Sequence, residues 1–210
     1  MHLYNSFWKI KAFPSARVTT WRVLENKITT KVNLARCGVV VESILCCLCV
    51  AYGEITSYLF FYCRIAWLAW NLCYSWLGLN SVNHHASASH FLQFNLSGAP
   101  TSVNLVLRTI WIVLVSEIWR HRNRHIFKGE LIDYSEIFSM THLKVGSWVT
   151  SKIPSACFSF SDWCFDPLVC MFSIKNKWVA LSWSGVWFAV CEGALFLFVE
   201  LSGRLKMYKG

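Results

Sequence analysis

Cys46, Cys49 and Cys63 lie in one short stretch, CCLCVAYGEITSYLFFYC, where two cysteines stand three apart and a third follows a hydrophobic run. The spacing of Cys46 and Cys49 lets a tight turn aim both thiolates at one ion, and structural zinc takes four such donors in a tetrahedron. Cys63 offers the third. Five residues before it, where a histidine would complete a Cys-Cys-His-Cys set, the chain has Tyr58. A phenol with an ordinary pKa of about 10 is a poor zinc ligand. The stretch is therefore a zinc knuckle with three good donors, or else three buried cysteines acting as small hydrophobes. Cys47, next to Cys46, points elsewhere.

The second candidate is cationic. Arg120, Arg124 and Lys128 recur every four residues, thickened by Arg122, His121 and His125. On a helix they form a stripe suited to phosphate contacts with RNA or DNA, through Arg120, Arg122, Arg124 and Lys128. The bland alternative is a solvated face near a helix C-terminus, where the macrodipole favours cations anyway. Lys9, Lys11, Arg17, Arg22, Lys27, Lys31 and Arg36 give the N-terminal part a similar excess over Glu25 and Glu42. His84, His85 and His90 sit in a polar connection without nearby cysteine or carboxylate and are assigned to loop. The twelve tryptophans could stack on unpaired bases, but most lie on apolar stripes and are assigned to the core.

The elements that must position these groups are mainly helical. Val18, Trp21, Leu24 and Ile28 predict one buried stripe, with Arg17, Arg22 and Lys27 off it. Thr30 is a candidate N-cap for a short helix ending at Gly38, and Val39 to Val41 predict an extended arm into the knuckle. Leu59 to Leu77 predicts a largely buried helix with Trp67, Trp70, Tyr74 and Leu77 in the core, ended by Gly78. A long connection from Asn80 to Thr101 holds a short helix near Phe91 to Phe94. A helix of about 25 residues starts near Val103, with Leu107, Trp111, Leu114 and Ile118 inward and Phe127 closing its apolar part. Asp133 and Glu136 resemble a capping arrangement for a helix carrying Ile137, Phe138, Thr141, Val145 and Trp148 to about Thr150. From Ser155 to Met171 the pattern is irregular, with Pro154 and Pro167 as breakers, and the last forty residues show no clean period. The divisions are an N-terminal extension at 1–4, a helical domain at 5–150, an irregular extension at 151–171 and a hydrophobic tail at 172–210.

With 210 residues, 55% of them hydrophobic and 15% charged, the chain can build a core and is not a disordered sequence. Trp178 to Leu201 is long enough for a membrane anchor, but Glu192 and Glu200 would each cost about 2.5 kcal/mol or more at bilayer depth. The first residues lack a signal-peptide h-region, which predicts a nuclear or cytoplasmic protein, not a secreted one. In a reducing compartment the ten cysteines are metal ligands and core residues, not a disulfide framework. The net charge of +9 suits a polyanionic partner.

Taken in order, several anchors resemble the zinc-binding region found downstream of the polymerase in reverse transcriptases of plant LINE-type (non-LTR) retrotransposons. They are FWKIKAFPSARVTTWRVLENKITTKVNLARCGV at Phe7 to Val39, the three cysteines, Glu54 with LFFYC, AWLAWNLCYSWLG, and EIWRHRNRHIFKG at Glu117 to Gly129 with Arg122 and Asn123. The likeness covers about residues 5 to 171. It implies a mainly α-helical domain with a small cysteine knuckle, a Zn2+ cofactor, and Cys46, Cys49 and Cys63 as three of four ligands, with Tyr58 on the family's histidine. It also implies RNA or DNA as partner, and the reverse transcriptase or ribonucleoprotein of the parent element. No two of the eleven acidic residues are adjacent, so the chain does not supply the aspartate pair that holds two ions in a polymerase. The expected role is non-catalytic. A membrane-associated protein and a non-functional, truncated remnant of such an element are the competing readings.

Overall fold

A computed structural model describes residues 7–79, 86–153, 156 and 158–174, and the strand segments 181–183, 186–191, 194–201 and 204–209. The helices are α1 (Pro14–Leu24), α2 (Lys31–Arg36), α3 (Arg64–Trp76), α4 (Ser87–Leu92), α5 (Thr101–Lys128), α6 (Tyr134–Lys152), α7 (Phe160–Phe165) and α8 (Pro167–Ser173), with a π-helical turn at Tyr58–Tyr62. The protein is mainly α, as its sequence predicts.

Helix α5 is the centre. Its sequence is apolar for long enough to cross a membrane, yet most of it is buried against the other helices. Leu107, Trp111, Leu114 and Ile118 are all buried, and so are residues on its other faces, because α1, α6 and α8 surround it. Gly129 ends it in the left-handed conformation with φ 65°. Phe127 lies beyond the core at 77% exposed, so the apolar stripe closes at Ile118.

The buried face of α1 is Ala16, Thr20 and Val23, not the predicted Val18, Trp21 and Leu24. Close approach to α5 explains the rotation. Small residues sit at the contact and the Thr20 hydroxyl donates to the Ile112 carbonyl at 3.2 Å, while Trp21 lies half-buried at the edge. Similarly, Trp67 is 47% exposed on α3, whereas Trp70, Tyr74 and Leu77 are buried. Thr30 caps α2 by accepting the Asn33 N–H, and Gly38 has φ 80°.

The connection before α5 hides a residue assigned to loop. His90 is buried in α4, accepting the Trp111 indole N–H on Nδ1 at 2.7 Å and facing the Tyr74 hydroxyl with Nε2 at 3.0 Å. Its ring lies 4.4 Å from that of Phe61 and 4.6 Å from that of Trp70, centroid to centroid. Such a side chain is a satisfied core histidine. His84 and His85 lie outside the described residues.

Beyond α6 the irregular pattern resolves into two short capped helices. Ser159 and Asp162 form a reciprocal capping box for α7, and Asp166 accepts the Val169 N–H for α8. Pro167 opens α8 as its first residue, where the missing N–H costs nothing. Trp163 packs so closely on Gly146 of α6 that a Cβ there would meet its ring at 2.8 Å. Gly146→Ala should therefore cost about 1–3 kcal/mol by overpacking, seen as a lower urea midpoint at unchanged slope.

The hydrophobic tail is not irregular throughout. Its backbone forms an antiparallel meander of β1 (Leu181–Trp183), β2 (Val186–Cys191), β3 (Ala194–Leu201) and β4 (Arg204–Lys209), in that spatial order. Absence of a helical period over aromatic and β-branched residues is what strands look like in sequence. The described part of 178–201 is thus strand, not a spanning helix.

Candidate metal centre

Residues 44–54 fold back on themselves as a small loop. The Glu54 N–H donates to the Ile44 carbonyl, the Cys46 N–H to the Tyr52 carbonyl, and the Val50 N–H to the Cys46 carbonyl, each at 2.8 Å. Val50 takes φ 56°, a conformation a β-branched residue rarely adopts, and this lets the turn after Cys49 close. Val39 to Val41, expected as an extended arm, pair with no other strand among the described residues.

The third cysteine arrives by a different route. In the π-helical turn the Cys63 N–H donates to the Tyr58 carbonyl at 2.7 Å, so residues five apart close one turn and Tyr58 and Cys63 come to the same side. The Trp70 indole N–H holds the turn by donating to the Phe60 carbonyl at 2.8 Å.

The sulfurs of Cys46, Cys49 and Cys63 all lie within 4.8 Å of one another. Cys46 and Cys63 are buried, their sulfurs 3.7 Å apart, and Cys49 is half-buried with its sulfur 3.1 Å from the Tyr58 hydroxyl. With Zn–S bonds of about 2.3 Å, the edge of a tetrahedron is about 3.8 Å, so this donor set fits zinc. The Cys46 thiol is held below its ordinary value, chiefly by its hydrogen bond with Cys63, whose own thiol is pushed up by the same bond. Burial, followed by the hydrogen bond to Cys49, pushes the Tyr58 phenol up. Cys47 is raised to about 12 by burial and lies outside the cluster, as expected.

Glu54 is the residue whose role the sequence did not reveal. At 0% exposed, its Oε1 accepts the Lys31 N–H at 3.0 Å and an Arg122 N–H at 2.6 Å, and its Oε2 accepts the Cys47 N–H at 3.3 Å. One carboxylate thus ties the knuckle to α2 and to α5. Arg122 also lies over the Trp119 ring at 4.7 Å, and Trp119 stacks on Phe60 of the π-helical turn at 6.2 Å. A buried acid five residues after Cys49 is a signal for such a tie, because a buried carboxylate demands a cation elsewhere in the chain.

The cationic stripe does not survive as a set. Arg122 is buried in its pair with Glu54 and is withdrawn as a phosphate contact. Arg124 is held by Glu136 at 2.8 Å and Glu130 at 3.2 Å. Arg120 stands exposed, loosely facing Glu117 at 3.9 Å, and Lys128 is exposed at the helix end. A helical period groups side chains on one side, but pairing with neighbouring acids decides which remain free.

His121 is buried beside this network. Its Nε2 accepts the Asp133 N–H at 2.9 Å, and its Nδ1 lies 3.1 Å from an Arg124 guanidinium nitrogen and 3.6 Å from Glu136. Asp133 also caps α6 by accepting the Ser135 N–H, while Glu136 turns to Arg124 and His121 instead of completing a capping box. Burial first, then Arg124, hold His121 below the usual histidine range, and burial does the same to His142. A histidine with a depressed folded pKa contributes stability above its unfolded value of about 6.5, lost as pH falls through the folded one. In chelator and reductant, the melting temperature of Cys46→Ser, which lacks the depressed thiol, should fall between about pH 6.5 and 5. A level curve across that interval would contradict the assignment.

No curated protein and no solved structure matches the chain. A family model does: residues 1–70, which hold Cys46, Cys49, Glu54, Tyr58 and Cys63 and stop within α3, match the family described as zinc-binding in reverse transcriptase, an accessory domain and not the polymerase itself.

Proposed function

We propose that this protein is a non-catalytic, zinc-binding module derived from a retrotransposon reverse transcriptase of the plant LINE type, which braces a helical domain and assists binding to RNA or DNA. One observation carries the metal reading: the matched segment brings three cysteine sulfurs within 4.8 Å of one another. Zinc held there would join the loop at 44–54 to the π-helical turn and so to α3. Its chemistry is structural, contributing folding free energy on the order of 10 kcal/mol in a site with all four ligands.

The nucleic-acid reading is supported by the net charge of +9 and by exposed cations that form no ion pair among the described residues, Lys128 and, on the N-terminal part, Lys9, Lys11, Arg22 and Arg36. Such contacts are to phosphate and independent of sequence. The partner is template RNA or target DNA within the ribonucleoprotein of the parent element, in nucleus or cytoplasm.

Metal analysis of the reduced, full-length protein tests the first half: one zinc per chain is expected, and Cys63→Ser should lose it. Zinc absent from the wild type, or retained by Cys63→Ser, sinks the metal reading. For the second half, affinity for single-stranded RNA should fall steeply with salt, and Arg120→Ala with Lys128→Ala should lower the salt slope by about 1 for each contact removed. Binding that ignores salt would remove that half.

A further inference from the structure

With three thiolates assigned, the identity of the fourth donor is open, and the residue in place of the expected histidine is not an inert replacement. We propose that Tyr58 is the fourth metal ligand, its phenolate oxygen completing a Cys46–Cys49–Cys63–Tyr58 set around a divalent ion. This inference rests on the zinc reading and deepens it.

Position argues for it. The Tyr58 oxygen lies 3.1 Å from Cys49 Sγ, at the half-buried edge of a cluster whose other edge is the buried Cys46–Cys63 pair at 3.7 Å. The π-helical turn begins at Tyr58 and delivers Cys63 at its end, so one local structure sets both donors. The ring is steadied from outside by the edge of Tyr52, with centroids 5.3 Å apart. Cys46 and Cys63 thus form the floor, and Cys49 and Tyr58 the rim across which a hydrated ion would enter.

Chemistry allows it. Without metal, the phenol and the Cys49 thiol share a hydrogen bond. A bound cation is the largest local charge and favours the ionised form of any donor it touches, as it does for thiols and water. Three S–H bonds and one O–H bond are then broken, their protons pass to solvent, and no electron moves. The ligand charge equals that of a four-cysteine zinc site. An oxygen donor also makes the site less soft than its cysteines alone would.

Cobalt(II) titration of the chelator-stripped, reduced full-length chain tests this. The wild type should show tetrahedral cobalt absorption at one equivalent together with the ultraviolet difference band of tyrosinate. Tyr58→Phe should lose the tyrosinate band and bind at least about tenfold more weakly, while Tyr52→Phe keeps the band. Cobalt colour without a tyrosinate band in the wild type, or equal affinity in Tyr58→Phe, overturns the proposal and leaves the three-cysteine reading standing. A wild-type chain that takes up no cobalt overturns both.

Discussion

Replacing Arg122 by methionine should cost about 3–5 kcal/mol, enough to unfold much of the protein at room temperature. The cost is not the lost attraction alone. Glu54 has no exposure to solvent, and without the guanidinium at 2.6 Å its charge keeps two backbone N–H groups and pairs with no other cation among the described residues. An uncompensated carboxylate then takes up a proton or breaks the packing around it, and either course is expensive. Adding Glu54→Gln to Arg122→Met should recover part of the loss, because no charge is then left buried, although the single amide oxygen can keep only one of the Lys31 and Cys47 N–H bonds. Urea denaturation of the wild type, both single variants and the double variant closes the cycle. A cost below about 1 kcal/mol for Arg122→Met would mean that the pair is no more than a surface bridge.

Tyr58→His should have an effect of the opposite sign. An imidazole nitrogen is already unprotonated near pH 7, whereas a phenol pushed up by burial and by Cys49 has to lose its proton before it can bind. Zinc affinity should rise by at least about tenfold, which is about 1.4 kcal/mol of added stability in saturating zinc. Without metal the histidine has no such advantage, so the two chains should melt alike in chelator. Equal melting temperatures in zinc as well would mean that a histidine at this position holds the ion no better than Tyr58 does.

How far the sequence discloses this structure depends on whether a feature is local. Thr30 and Gly38 are visible as cap and stop because each acts on its own backbone. The cysteine spacing announces the knuckle for the same reason. The buried face of α1 is not visible, since Ala16 and Thr20 were selected for proximity to Ile112, 92 residues away, not for hydrophobicity. Arg122 reads as one of a row of cations until its partner is known, and that partner lies 68 positions back. His90 reads as loop because its neighbours are serine and asparagine, although Trp111 and Tyr74 fix it in the core. The lost information in each case is a contact between distant segments.

The Glu54 carboxylate has a dynamic consequence. Because it accepts from Lys31 and Cys47 while pairing with Arg122, the loop at 44–54 cannot swing open without stranding a charge inside the central helix. Local fraying of that loop is thereby converted into partial unfolding of the whole. In amide hydrogen exchange the Lys31 and Cys47 N–H groups should be as slow as those in the middle of α5, although they belong to a short helix and a loop.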